Sequence, residues 1–166
     1  RGRPQGPFES VTSADGVAWS RVNAVHQTRG GALYFGTSEG VGAYDPGHYV
    51  TSWTTASGFA DGSVASITEN SRGDIHVGTS RGLARFTEGR WERLAPPAGS
   101  RQETVLAIHF DKSGRLYSGN GRGELKVYEG GQLVRTFSER EGLQGSVNAI
   151  HGGPDGDLYI GADSGL

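Results

Sequence analysis

The sequence predicts an all-β protein in which one small sheet is written several times over, and three observations predict it. The first is a period. The octet "LYFGTSEG" at Leu33 returns as "IHVGTSRG" at Ile75, "LYSGNGRG" at Leu116 and "LYIGADSG" at Leu158, so Gly36, Gly78, Gly119 and Gly161 lie 42, 41 and 42 residues apart. The second is where glycine falls. Of 29 glycines, sixteen stand in four columns of the repeat, headed by Gly16, Gly31, Gly36 and Gly40. At turns glycine permits positive φ, and inside a strand it marks a bulge or a close approach of another chain segment. The third is the run length: extended segments of strand size alternate with turn signals, and no 3.6-residue apolar period competes with them.

Taken in order, the chain opens on "GPFESV", which aligns with "GRWERL" at Gly89 to Leu94 and so predicts an outer strand of a preceding unit over residues 6–12. The first full copy, residues 21–54, reads as the strands "RVNAVHQ", "ALYFGT", "VGAYD" and "HYVTSWT". Residues 63–95 and 104–138 repeat it, and residues 146–166 repeat it in part, stopping at "SGL" where earlier copies continue as "GLARF" or "GELKVY". In the second strand Leu33 and Phe35 face one way and Tyr34 the other, because side chains alternate. Both faces are apolar or aromatic, here and at Ile75 to Val77 and Leu158 to Ile160, with Leu116 to Ser118 more polar. Such a strand is covered on both sides. A four-stranded sheet of about 42 residues packed between copies of itself is a β-propeller blade. Rings close with roughly four to eight blades, and bare strand edges invite aggregation. The expectation is therefore an incomplete ring, finished by further blades in cis or in trans.

Composition excludes several classes. A formal charge of -2 gives no global attraction to nucleic acid or an anionic membrane. No run is apolar enough to span a bilayer, and residues 1–20 lack a secretory core. There is no cysteine, hence neither a disulfide frame nor a thiolate metal site, and with no methionine the chain reads as an excerpt or a processed product.

The repeats resemble those of the two-component regulator propeller family. "GFADGSVASITENSRGDIHVGTSRGLARF" from Gly58 to Phe86 follows that pattern closely, and "GLQGSVNAIHGGPDGDLYIGADSGL" follows it from Gly142 to Leu166. Departures stand at the second-strand tryptophan, which is Tyr34, His76, Tyr117 or Tyr159 here, and at the turn aspartate, which only Asp111 matches well. Histidine at position 76 is expected to be the weaker filler. The resemblance implies a sensing role: the periplasmic or extracellular input region of a signalling protein, binding a small molecule, a carbohydrate or a protein.

Four residues are candidates for a binding mouth. Glu39, Arg81 and Arg122 share a column in the turn after the second strand, with Ser164 completing it, and Trp19 belongs to the same rim. Arginine forks suit carboxylate or phosphate, and an exposed indole suits stacking. Solvated arginines in hairpin turns are common too.

His26, His109 and His151 form a second column, interrupted by Thr68. They point to a weak alternative, a divalent metal near the propeller axis. Against it stands the absence of a carboxylate column to orient them. "GNGRG" at Gly119 is a hairpin, since nucleotide loops need a helix N-terminus, and "PDGDLY" at Pro154 lacks a twelve-residue calcium loop. No cofactor is expected, and no "GxSxG" or "HExxH" is present. The leading expectation is thus a non-enzymatic sensor. The alternatives are a propeller lyase or hydrolase using the histidines, and a structural partial ring that closes by self-association.

Overall fold

A computed structural model of the chain describes residues 21–45, 48–57, 59, 62–96 and 102–165. Trp19 and the strand expected over residues 6–12 lie outside them.

Among the described residues fourteen strands form four antiparallel sheets, each a meander in chain order. The first holds β1 (Val22–Gln27), β2 (Leu33–Thr37), β3 (Gly40–Asp45) and β4 (His48–Thr54). The second holds β5 (Val64–Glu69), β6 (Ile75–Thr79), β7 (Gly82–Thr87) and β8 (Arg90–Arg93). The third holds β9 (Val105–Phe110), β10 (Leu116–Asn120), β11 (Leu125–Glu129) and β12 (Gln132–Phe137). The fourth is the pair β13 (Val147–Gly152) and β14 (Leu158–Ala162). First strands are neighbours, β1 against β5, β5 against β9 and β9 against β13, so each sheet lies face to face with the next.

One hairpin geometry is used four times. The turn after each first strand closes with a glycine at φ 91°, 91°, 86° and 93°, for Gly31, Gly73, Gly114 and Gly156. That region is costly for any residue with a Cβ. Asp111 Oδ1 accepts from the Ser113 and Arg115 amides at 2.8 and 2.9 Å, and Asn70 Oδ1 holds the Arg72 and Asp74 amides in the same way at 2.9 Å each. Asparagine therefore does the work of the turn aspartate in the second sheet.

The repeated glycine of the second strand has a different cause. Each first strand bulges at one place, between Val22 and Ala24, Val64 and Ser66, Val105 and Ala107, and Val147 and Ala149. The valine before the bulge is pressed onto the glycine of the preceding sheet. A Cβ on Gly36, Gly78 or Gly119 would fall within 3.0 Å of Val64, Val105 or Val147 respectively. The period of the sequence is thus the period of a knob and a socket.

Two apolar clusters fill the first two seams. Between the first and second sheets lie Val41, Phe59, Val64, Ile75, Val77 and Ala84, joined by Tyr34, Trp53, Phe86 and Trp91. Between the second and third lie Leu83, Val105, Ile108 and Leu116, joined by Leu94, Phe110 and Tyr128. His76 is buried in the second seam, its ring edge-on to Phe110 at 4.8 Å. Far from being a weak filler, it packs as an aromatic.

Candidate functional site

The two ends of each sheet make two rims. One rim carries the turns between second and third strands, which hold Glu39, Arg81 and Arg122. Their backbones are set by the last residue of each second strand. Thr37 Oγ1 accepts from the Glu39 and Gly40 amides at 3.1 Å each, Thr79 Oγ1 accepts from the Arg81 amide at 3.0 Å, and Asn120 Oδ1 accepts from the Arg122 and Glu124 amides at 2.9 and 3.0 Å. Asparagine spans a turn one residue longer.

These turns meet the segments that lead into the next sheet. Gln102 Nε2 donates to the Arg81 carbonyl at 2.6 Å, Thr104 Oγ1 to the Ser80 carbonyl at 3.3 Å, and Ser146 Oγ to the Gly121 carbonyl at 3.5 Å. Between the Arg81 and Arg122 turns opens a cavity of about 290 Å³ lined by Ser80, Gln102, Glu103, Thr104, Asn120 and Arg122. The structure thus brings Arg122 and the Arg81 turn to one cleft. Glu39 is exposed on its own turn, one sheet away.

Two of the lining residues, Glu103 and Asn120, belong to a charged cluster. Lys126 is buried, with Nζ 2.5 Å from Glu103 Oε1 and 3.4 Å from Glu124 Oε2. Asn120 Nδ2 donates to Glu103 Oε2 at 2.7 Å and to Glu124 Oε2 at 2.8 Å. Burial pushes the Lys126 ammonium down, but the Glu103 bond and the two carboxylate charges outweigh it and hold the group above its ordinary value. The Asn120 bond holds Glu124 below the usual carboxylate range. Charges taken out of water persist only when paired and hydrogen-bonded in this way.

The opposite rim holds the histidines. His26 Nε2 is buried, makes no hydrogen bond among the described residues, and lies 4.0 Å from Glu69 Oε2 of the next sheet. Glu69 also accepts from the Arg29 amide at 3.0 Å and pairs with its guanidinium at 3.4 Å. Burial lowers the His26 pKa, with Glu69 opposing. Burial also lowers His109, helped by the charge of His151 and opposed by Asp111. A second cavity, about 320 Å³, is lined there by His109, Asp111, Tyr117, Gly152, Asp157 and Leu158. Tyr117 donates to Asp111 Oδ2 at 3.2 Å.

His109 and His151 interact, while His26 is separated from them by the sheet carrying Thr68. Among the described residues no group of three His, Cys, Asp or Glu is placed to hold a metal ion. No helix among them is long and apolar enough to cross a membrane.

The fold has many relatives among solved structures. One is the extracellular domain of BT3049 from B. thetaiotaomicron, assigned to a hybrid two component system, at TM-score 0.76 and 20% identity over 93% of this chain. Another is the extracellular domain of BT4673 from the same organism, assigned to a one component system, at TM-score 0.72 and 24% identity over 96% of this chain. A third is catalytically inactive virginiamycin B lyase from Staphylococcus aureus with quinupristin, at TM-score 0.74 and 17% identity over 99% of this chain. The fold is that of a β-propeller. The chain spans 22% of the BT3049 domain, 21% of the BT4673 domain and 59% of the lyase. No family model matches the sequence, and no curated protein does.

Sequence reasoning missed two groups. Glu69 supplies the carboxylate the histidine column lacked, but from the next repeat, 43 residues after His26 and one position further along its strand. Lys126 carried a usable signal: it stands in the column of Gly42 and Ala84, where a charge is out of place.

Proposed function

We propose that this propeller is the ligand-sensing input region of an extracytoplasmic signalling protein. It binds a small molecule, a carbohydrate or a protein at the rim that carries Arg81 and Arg122. The observation that carries the reading is the shared fold of the BT3049 and BT4673 extracellular domains over 93% and 96% of this chain. The resemblance of the repeats to the two-component regulator propeller family adds to it. Glu103 and Asn120 line the cleft, with Glu103 paired behind it to Lys126, and Arg122 supplies a planar donor fork beside them for a carboxylate or phosphate. Signalling then needs a ligand that binds one state of the assembly better than another.

The test is the reading frame on both sides of this sequence. A leader upstream, further copies of the repeat, a membrane span and a signalling module downstream are expected. A frame that holds only propeller and no signalling module contradicts the sensor reading.

A second reading, a lyase working from the histidine rim, is favoured by the His26 and Glu69 pair across two sheets and by the lyase among the structural relatives. It predicts turnover of quinupristin that is abolished by His26→Ala. No turnover with the complete ring excludes that substrate.

A further inference from the structure

At the histidine rim, one carboxylate of the second sheet stands between two basic groups of the first. Glu69 Oε2 accepts from the Arg29 amide at 3.0 Å, and Oε1 pairs with the Arg29 guanidinium at 3.4 Å. The same guanidinium donates to the Asn70 carbonyl. Through Arg29, then, the turn after β1 is fastened to the end of β5. On the other side of Glu69 lies His26, whose Nε2 is buried, has no hydrogen-bond partner among the described residues and is 4.0 Å from Oε2. That gap is too long for a hydrogen bond.

The geometry of the repeat does not require this arrangement. The places of His26 and Glu69 are taken by Thr68 and Phe110 at the second seam, and by His109 and Gly152 at the third, where His109 Nε2 lies against the bare glycine. At these positions only the first seam sets an imidazole against a carboxylate. The other groups around His26 do not compete for its proton. Tyr34 stands opposite it on β2, and burial together with the Glu69 charge holds that phenol above its ordinary value, so it stays neutral in acid. Thr68 on β5 does not titrate, and Arg29 is permanently charged.

We propose that His26 is an acid-operated release for the first seam: a proton taken up at Nε2 draws Glu69 Oε2 to the ring and off the Arg29 amide, and the turn after β1 loosens from the second sheet. An imidazolium in this buried place persists only with a carboxylate on it. Closing the 4.0 Å gap to the roughly 2.8 Å of a charged hydrogen bond moves Glu69 away from the amide it serves. Burial holds His26 below its ordinary pKa, with Glu69 opposing. The unfolded imidazole titrates near 6.5. The grip is therefore whole above pH 6.5 and is lost as the pH falls through the lower folded value.

Nuclear magnetic resonance on the full chain tests it, following the His26 ring and the Arg29 backbone amide as the pH falls from about 7.5 to about 4.5. The expected result is a His26 midpoint below 6.5, with the Arg29 amide shifting at that same midpoint and losing roughly tenfold of its protection from hydrogen exchange. Glu69→Gln lowers the His26 midpoint further, because the opposing charge is gone. Arg29→Ala raises it, because Glu69 is then free to turn to the ring. In His26→Gln the Arg29 amide holds still over most of the range, which separates the imidazole proton from the titration of Glu69 itself. An Arg29 amide that keeps its shift and protection while His26 titrates, a His26 midpoint at or above 6.5, or one that Glu69→Gln leaves unchanged overturns the proposal.

Discussion

Between the first and second sheets, Trp53, Phe59, Phe86 and Trp91 lock together with ring centres 4.9 to 5.9 Å apart and carry Val77 and Ala84 behind them. Between the second and third sheets those two positions are Ser118 and Lys126, and the ammonium is matched by Glu103 and Glu124. Backbone pairing and socket are the same in both seams, yet one is closed by carbon and the other partly by charge. The repeat therefore sets the geometry, while the contents of a seam are free to vary. The charged seam is also the one that opens into the cavity beside Arg122. A dry seam can only hold, whereas a polar one at a rim can hold and respond.

The largest effect is expected in the dry seam. Phe59 is fully buried against Trp91, and Phe59→Ala should cost about 3–5 kcal/mol in urea unfolding. That cost should not change with salt or between pH 6 and 8. In the charged seam, Lys126→Met leaves the largely buried Glu103 with Asn120 but without its cation and should cost about 3 kcal/mol. Replacing Glu103 by Gln in that background should recover much of the loss, which no second substitution near Phe59 can do.

Acid sharpens the contrast from another side. Burial pushes the His76 pKa down to about 4. An unfolded imidazole titrates near 6.5, so its contribution is whole above pH 6.5, declines as the pH falls, and is gone below about pH 4, a loss on the order of 3 kcal/mol. Thermal melts across that range should show it, and His76→Phe should flatten the decline. The smallest effect belongs to the rim. Arg29 pairs with Glu69 from an exposed position, so Arg29→Ala should cost less than about 1 kcal/mol, and less again in 1 M salt.

The architecture was legible because it is periodic. A glycine every 42 residues, a strand apolar on both faces and turn glycines suited to positive φ are all readable in the sequence, and the structure holds those turn glycines near φ 90°. The sites were less so, because they are built across repeats. The Glu69 partner of His26 and the Glu103 partner of Lys126 belong to no shared column, and only packing brings them together. Of the turn column, Arg122 lines the cleft and Arg81 meets its edge through a backbone carbonyl, while Glu39 stands one sheet away. Tyr34, expected to fill a slot between sheets, packs against the apolar cluster of the first seam and stacks parallel to Trp53 at 6.4 Å.

The contrast between the seams is tested most directly by a double-mutant cycle on Lys126 and Glu103, read by urea unfolding at low and at 1 M salt. A coupling of about 2 kcal/mol that largely survives salt is predicted, because a buried pair is poorly screened. A coupling near zero, or one that vanishes in salt, would show that the second seam is held by its apolar residues alone and that the two seams do not differ in kind.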